Sequence, residues 1–120
     1  MSLIENFPFS REMAIAAIDG WKVATTRSEP KGEIGDIFKI PNPRWTDAGY
    51  TAECEEKAIG IPTFRLIEIM AVDLETVKNL YFRLEGFDSP EAFEKTWRAL
   101  HRGHFTTGKL YYMHVFGRVA

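Results

Sequence analysis

The strongest constraint on the fold is the last strand that the sequence predicts, from Lys109 to Val119. A strand that is apolar on both faces has to be covered on both faces. The chain has 120 residues, the length of one compact domain. The wall of a small barrel with helices packed outside satisfies this requirement. The apolar residues lie at Leu110, Tyr112 and Phe116 on one face and at Tyr111, Met113 and Val115 on the other.

Three helices are predicted from capping residues and apolar spacing. The first has Ser10 as its N-cap and ends at Gly20, which suits the left-handed position after a helix. The second covers Leu74 to Leu84, where apolar residues recur every three or four positions. The third begins with Asp88 or Ser89 as its N-cap.

Three further strands are predicted over Trp21–Arg27, Asp36–Ile40 and Phe64–Val72. Between the last two, the segment from Pro41 to Pro62 holds three of the six prolines. A structureless loop of that length is unusual in a compact domain, so we expect a short strand around Tyr50–Cys54. The order of elements predicts an α+β fold, a small β-barrel with helices packed around it.

The charge balance limits the partners. Fifteen Lys and Arg residues against seventeen Asp and Glu residues give a formal net charge of −2. Duplex DNA is excluded as a partner, because non-specific binding to it draws on a strongly basic face. A small local basic pocket stays possible, and the net negative charge favours a small uncharged substrate over a polyanion.

The cysteine and histidine content argues against a metal or another cofactor. Cys54 is the only cysteine, so neither an intramolecular disulfide nor a cysteine-based zinc cluster can form, and we expect a cytoplasmic protein. His101 and His104 lack a third ligand at an obvious spacing, and mid-strand His114 is typical of a packed histidine. Because no run approaches the roughly 18 apolar residues of a membrane span, we expect no membrane partner.

One motif carries a resemblance. The segment Gly20-Trp21-Lys22-Val23-Ala24-Thr25-Thr26-Arg27 has the pattern G-x-K-x-x-T-x-R, and a Gly35-Asp36 turn follows it. Later come Glu85-Gly86-Phe87, a helix with Phe93 and Trp97, and the closing strand Tyr111–Phe116. In this order, the motifs resemble the ASCH domain family of the PUA-like superfamily, over nearly the whole chain. The segment from Pro41 to Pro62 departs from the smallest members and is interpreted as an insertion in a single domain of residues 1–120.

The resemblance implies a PUA-like barrel with a cleft beside the motif. One bacterial branch of the family is an amidohydrolase that removes the acetyl group from N(4)-acetylcytidine through a Lys, a Thr and a Glu. Those residues match Lys22, Thr25 and Glu85 here. Another branch has been described as ribonucleases, and related domains bind RNA. The implied partner is a small nucleoside or nucleotide, with single-stranded RNA as the alternative.

The spacing of the motif sets a geometric condition. Lys22 and Thr25 are three positions apart, so in a regular strand they face opposite ways. They converge only if Lys22 belongs to the turn after Gly20 or if a bulge intervenes. Thr25 and Arg27, two positions apart, share a face. By spacing alone, a solvated lysine and a β-forming threonine explain the pattern better than a catalytic pair does.

Amide hydrolysis assigns possible roles to the three matched residues. Thr25 supplies a hydroxyl nucleophile, Lys22 a base or an oxyanion partner, and Glu85 a proton shuttle. A lysine acts as a base only if its pKa falls well below its usual value, whereas a neighbouring carboxylate raises that pKa. Contact between Lys22 and Glu85 therefore favours a fixed charge on Lys22 and proton transfer by Glu85.

The remaining candidates are substrate-binding residues. Trp21 and Tyr111 are candidates for stacking on a base, whereas Trp97 lies in an apolar stripe that predicts a core position. Arg27 binds either a substrate oxygen or a carboxylate such as Asp36. A closed cleft that joins Lys22, Thr25 and Glu85 would indicate an amidohydrolase. An open groove of arginines and lysines would indicate a non-catalytic RNA-binding module, and an RNA-cleaving enzyme would use much the same pocket.

Overall fold

Four antiparallel strands form one curled sheet in the computed structural model, which describes residues 2–44 and 61–120. The strands are β1 (Ala24–Arg27), β2 (Ile37–Lys39), β3 (Thr63–Asp73) and β4 (Leu110–Arg118). Their order across the sheet is β1-β4-β3-β2, and each neighbouring pair is antiparallel. The closing strand β4 is therefore central, and β1, which carries the motif, lies at an edge.

Within residues 2–44 and 61–120, three named helices pack on the sheet: α1 (Arg11–Ile18), α2 (Leu74–Leu80) and α3 (Pro90–Leu100). Ser10 caps α1 by accepting a hydrogen bond from the backbone of Met13, and Ser89 caps α3 in the same way. Of the two predicted caps for α3, the structure uses Ser89. Each helix is short, so its stability comes mainly from the apolar residues that it buries.

Two apolar clusters cover the two faces of the sheet, which confirms that β4 is buried on both sides. Alternation along β4 sends Phe116 to the first cluster and Tyr111 and Met113 to the second. The first cluster contains Phe7, Ala14, Ala17, Phe38, Ile40, Phe64, Leu66 and Phe116. The second cluster contains Ala24, Val72, Leu74, Val77, Phe93, Trp97, Tyr111 and Met113.

The closed barrel that the sequence predicts is wrong for the part of the chain described here. Over residues 2–44 and 61–120 the sheet is a curled half-barrel with β1 and β2 as its edges. Four strands are fewer than a closed barrel needs, and β1 and β2 have only four and three residues. The strand expected around Tyr50–Cys54 lies outside the described residues.

The second helix ends at Leu80, four residues earlier than predicted. The carbonyl of Leu84 instead accepts hydrogen bonds from the backbone nitrogens of Val23 and Ala24, at 2.8 and 2.9 Å. These long-range bonds hold the chain after α2 against the start of β1. Of the helices that the structure describes, none has the length and apolar character needed to cross a membrane.

Candidate functional site

A cavity of about 550 Å³ opens beside the edge strand β1. Thr25 and Arg27 line it from the face of the first apolar cluster, and Thr26 lines it from the opposite face. Both faces reach the same cavity because, among the strands that the structure describes, β1 has a neighbour on one side only, β4. The N-terminal segment around Phe9 forms one flank of the cavity, and α3 with Trp97 forms the other.

Lys22 and Thr25 line this cavity together because Lys22 precedes the strand. β1 begins at Ala24, and the backbone nitrogen of Lys22 donates to the carbonyl of Ala16 at 3.1 Å. Lys22 therefore belongs to the turn after Gly20, which is one of the two ways in which the motif can converge.

Lys22 and Glu85 form a buried ion pair. The Lys22 Nζ atom donates to the Glu85 carbonyl at 3.0 Å and lies 3.4 Å from Glu85 Oε1. Both residues are almost fully buried, at 2% and 3% exposure. Gly86 allows this close approach: its φ is +94°, and a Cβ atom there would lie 3.0 Å from the Cβ of Lys22. The Glu-Gly-Phe turn thus places the carboxylate against the motif lysine.

Thr26 is a residue that the sequence analysis missed. Its hydroxyl donates to Glu85 Oε2 at 2.9 Å, so Lys22 and Thr26 between them hold both carboxylate oxygens. The available signal was the pair of adjacent hydroxyls in one strand. Since Thr25 and Thr26 point to opposite faces, each meets a different partner.

Arg27 binds the hydroxyl of Thr25. Its Nη1 atom donates to Thr25 Oγ1 at 2.5 Å and to the carbonyl of Thr26 at 3.1 Å, and its Nη2 atom donates to the carbonyl of Pro8 at 2.7 Å. The predicted alternative, a salt bridge to Asp36, is wrong. The Asp36 carboxylate accepts hydrogen bonds from the backbone nitrogens of Ser2 and Glu33 instead.

Burial lowers the pKa of Lys22. Loss of solvation is the largest cause, the charge of Arg27 acts in the same direction, and the charge of Glu85 opposes both. The sequence analysis expected contact with Glu85 to keep Lys22 a fixed charge. Because desolvation of the ammonium outweighs the charge of the carboxylate, Lys22 loses its proton more readily than a solvated lysine does.

His114 is a fully buried histidine next to the β1 backbone that carries Thr25. Its Nε2 atom accepts a hydrogen bond from the backbone nitrogen of Lys31 at 3.0 Å, so the proton lies on Nδ1, which faces the carbonyls of Thr25 and Tyr112 at 3.3 and 3.0 Å. Burial lowers its pKa, which favours this neutral form. It packs against the backbone of β1 as the sequence interpretation expected.

The aromatic candidates divide between two places. Tyr111 is buried and lines the cavity, where its ring meets Trp97 edge to face at a centroid distance of 5.4 Å. Trp97 in turn stacks on His101 at 4.0 Å, so it is both a core residue and part of the cavity wall. Trp21 is 75% exposed and lines a separate cavity beside Arg83. Its stacking on a base in the Lys22 cavity remains only a prediction.

Within residues 2–44 and 61–120, no group of three or more His, Cys, Asp or Glu side chains is arranged to hold a metal ion. The Nδ1 atom of His101 lies 2.7 Å from the carbonyl of Trp97 in its own helix. The groups in the cavity that can donate, accept or transfer a proton include a lysine, two threonines, a glutamate and an arginine.

Comparisons with known proteins give the fold its context. No family model matches the sequence, and none of the curated proteins is similar to it. Solved structures with a similar fold include an ASCH domain from Lactobacillus crispatus JV V101, with a TM-score of 0.61 and 16% sequence identity over 98% of this chain and 78% of that one. They also include a DUF984 protein from Enterococcus faecalis V583, with a TM-score of 0.57 and 14% identity over 98% and 75% of the two chains. The chain therefore has the α+β fold of an ASCH domain, as its motifs predicted.

Proposed function

We propose that this protein is an ASCH-family amidohydrolase that removes the acyl group from an N(4)-acylated cytidine nucleoside or nucleotide. One observation carries the proposal: a buried Lys22–Glu85 pair and an arginine-bound Thr25 hydroxyl line the same cavity. These groups match, residue by residue, the set that the resemblance implies.

Thr25 is the nucleophile in this proposal. A threonine hydroxyl has one proton to donate and two lone pairs to accept. Arg27 occupies one lone pair, which leaves the proton free for a base. The guanidinium also stabilises the alkoxide that forms when the proton leaves, because a charge-assisted hydrogen bond strengthens as negative charge develops.

Lys22 is the base. Its lowered pKa allows the neutral amine to take the Thr25 proton, as Thr25 Oγ1 attacks the acyl carbonyl and forms a tetrahedral oxyanion. Glu85 holds the Lys22 amine in place through its carbonyl and its Oε1 atom.

The oxyanion then collapses with cleavage of the bond between the acyl carbon and N4. The proton on Lys22 passes to N4, so the amine leaves as neutral cytidine and the acyl group stays on Thr25 as an ester. In the second half, water attacks the ester carbonyl and gives one proton to Lys22. The tetrahedral intermediate then collapses with cleavage of the bond between the acyl carbon and Thr25 Oγ1. Lys22 returns the proton to that oxygen, which restores the threonine hydroxyl and the neutral amine and releases the carboxylic acid. No oxidant, reductant or metal enters the balance.

Incubation with N(4)-acetylcytidine tests the proposal, with cytidine and acetate followed by chromatography. We expect both products in equal amounts. The Glu85→Gln variant keeps the shape and most hydrogen bonding of the side chain but carries no charge and no exchangeable acid proton. Because Glu85 positions the base Lys22, kcat/KM should fall by up to about 10²–10⁴-fold, the usual contribution of a general acid–base group. A parent protein that releases neither product contradicts the assignment.

A second candidate is an RNA-binding module, and it is favoured by the arginine and lysines that line the cavity. This alternative expects no turnover, weaker affinity for a short single-stranded RNA in Lys22→Ala, and little change in Thr25→Ala. An RNA-cleaving enzyme would shorten the same RNA, so one incubation with end-labelled RNA separates binding from cleavage.

A further inference from the structure

The charge inside the cavity is opposite in sign to that of the whole chain. Although the formal net charge is −2, the described residues that line the cavity include one carboxylate and four Lys or Arg side chains. The carboxylate is Glu85, and the cations are Lys22, Arg27, Lys31 and Lys109.

These charges do not cancel locally. Lys22 and Glu85 pair with each other, and Arg27 binds hydroxyl and carbonyl oxygens, which carry no full charge. Within the described part of the chain, neither Lys31 nor Lys109 has a carboxylate oxygen within 4.0 Å. The cavity therefore has an excess of positive charge that an anionic ligand would offset.

The excess comes from two lysines on different elements of the fold. Lys22 and Glu85 stand at the start of β1, whereas Lys31 follows its end and is anchored by its backbone nitrogen to His114. The Lys109 Nζ atom lies 4.7 Å from the ring centre of Tyr111. The next residue of β4, Tyr112, pairs with Arg27. Both lysines therefore line the same cavity as the ion pair, Lys31 from the loop after β1 and Lys109 from the residue before β4.

We propose that Lys31 and Lys109 bind the phosphate of a mononucleotide, so that the substrate is an N(4)-acylated cytidine 5′-monophosphate rather than the free nucleoside. This inference rests on the proposed function. In such a nucleotide the acylated amine and the 5′-phosphate are separate groups, and the cavity holds both the ion pair and two lysines that have no carboxylate oxygen of a described residue within 4.0 Å. The net charge of the whole chain favours an uncharged substrate, whereas the local charge of the cavity favours an anionic one.

The test compares kcat/KM for N(4)-acetylcytidine and for its 5′-monophosphate. A hydrogen bond to a charged group contributes about 1.5–3 kcal/mol, so we expect a preference of roughly tenfold or more for the monophosphate. In Lys31→Gln and in Lys109→Gln this preference should fall about tenfold. Lys39→Gln, on the opposite edge strand β2, removes the same charge outside the cavity and should keep the parent's preference.

A binding measurement separates this inference from the proposed function. Calorimetry with cytidine and with cytidine 5′-monophosphate needs no turnover, and we expect tighter binding of the monophosphate that Lys31→Gln weakens. Equal binding of the two compounds overturns the phosphate site even if acetylcytidine is hydrolysed. Absence of hydrolysis with a preserved preference for the monophosphate overturns the amidohydrolase and supports the phosphate site.

RNA is the competing source of the same phosphate chemistry. A short acetylated oligoribonucleotide with no terminal phosphate should be a poorer substrate than the mononucleotide. If the oligonucleotide is hydrolysed faster, and Lys31→Gln and Lys109→Gln slow it, then the lysines bind an RNA backbone and the mononucleotide assignment is wrong.

Discussion

The two faces of β1 build two different halves of one site. On the face of the second apolar cluster, Lys22, Thr26 and Glu85 form a buried trio in which the cation and the carboxylate are paired. On the face of the first cluster, buried Thr25 and partly exposed Arg27 form a pair in which Arg27 donates to neutral oxygens. The buried trio is neutral as a whole, and the Thr25–Arg27 pair is cationic.

This difference separates two tasks. A proton is best handled by a group whose pKa is shifted by burial, as that of Lys22 is. Negative charge on a hydroxyl or an acyl oxygen is best stabilised by a cation with donors still available, and Arg27 has five N–H donors on its guanidinium. An edge strand supplies both environments at adjacent positions.

The largest expected effect is a loss of activity when a residue from either half of the site is replaced. Lys22→Met and Thr25→Val each remove a group needed for the same transition state, so each should lose most of the kcat/KM. Because residues that act as a unit are strongly non-additive, the double variant should be little slower than either single one. Steady-state kinetics on acetylcytidine checks this, and losses that multiply would show that the two halves act independently.

The buried trio should also differ from the Thr25–Arg27 pair in stability. Lys22→Met leaves the Glu85 carboxylate buried without its cation, and breaking a buried pair in this way costs about 3–5 kcal/mol. Lys22→Met with Glu85→Leu removes both charges and should recover most of that free energy while remaining inactive. Urea unfolding measures both values, and a double variant no more stable than Lys22→Met contradicts the interpretation.

Thr26→Val and Thr25→Val form a matched pair on adjacent positions. Thr26→Val removes the hydrogen bond to Glu85 Oε2 and should lower the free energy of unfolding by about 1.5–3 kcal/mol, because the acceptor is charged. Its kcat should fall less than that of Thr25→Val, and Thr26→Ser should restore both quantities. If Thr26→Val is as inactive as Thr25→Val, Thr26 has a more direct role than positioning Glu85.

The smallest expected effect is a shift in pH dependence. If neutral Lys22 is the base, activity rises with pH as Lys22 loses its proton. The positive charge of Arg27 lowers the pKa of Lys22, so Arg27→Gln should raise that pKa and move the acidic limb of kcat/KM to higher pH. Arg27→Lys keeps the charge and should leave the limb in place. A limb that moves to lower pH in Arg27→Gln would exclude Lys22 as the base.

Local signals predicted the helices well. The Ser10 cap and the Ser89 alternative depend on hydrogen bonds to residues three positions away, and such spacings are visible in a sequence. The end of α2 was misplaced because the carbonyl of Leu84 bonds to Val23 and Ala24, far away in the chain. Closure of the barrel was wrong for the described residues for a related reason, since strand pairing is not encoded locally.

The site was predictable to the extent that its motif is contiguous. Lys22, Thr25 and Arg27 lie within six residues, so their convergence followed from one condition on the turn after Gly20. Thr26 was missed because its partner Glu85 is 59 positions away. The balance of charge in the cavity was also hidden, because Lys31 and Lys109 are brought there by the loop after β1 and by the central strand.

The long separation between Lys22 and Glu85 has a consequence for folding. The two residues are 63 positions apart, and the turn that carries Glu85 is held against β1 by backbone bonds of similar separation. Contacts of this kind close large loops and form slowly relative to local helices. Among the described strands, β1 pairs only with β4, so β1 has no neighbour in the sheet until β4 has formed. During synthesis, therefore, the Lys22 amine has no carboxylate partner until the chain as far as Glu85 has emerged and the turn that carries Glu85 has docked against β1.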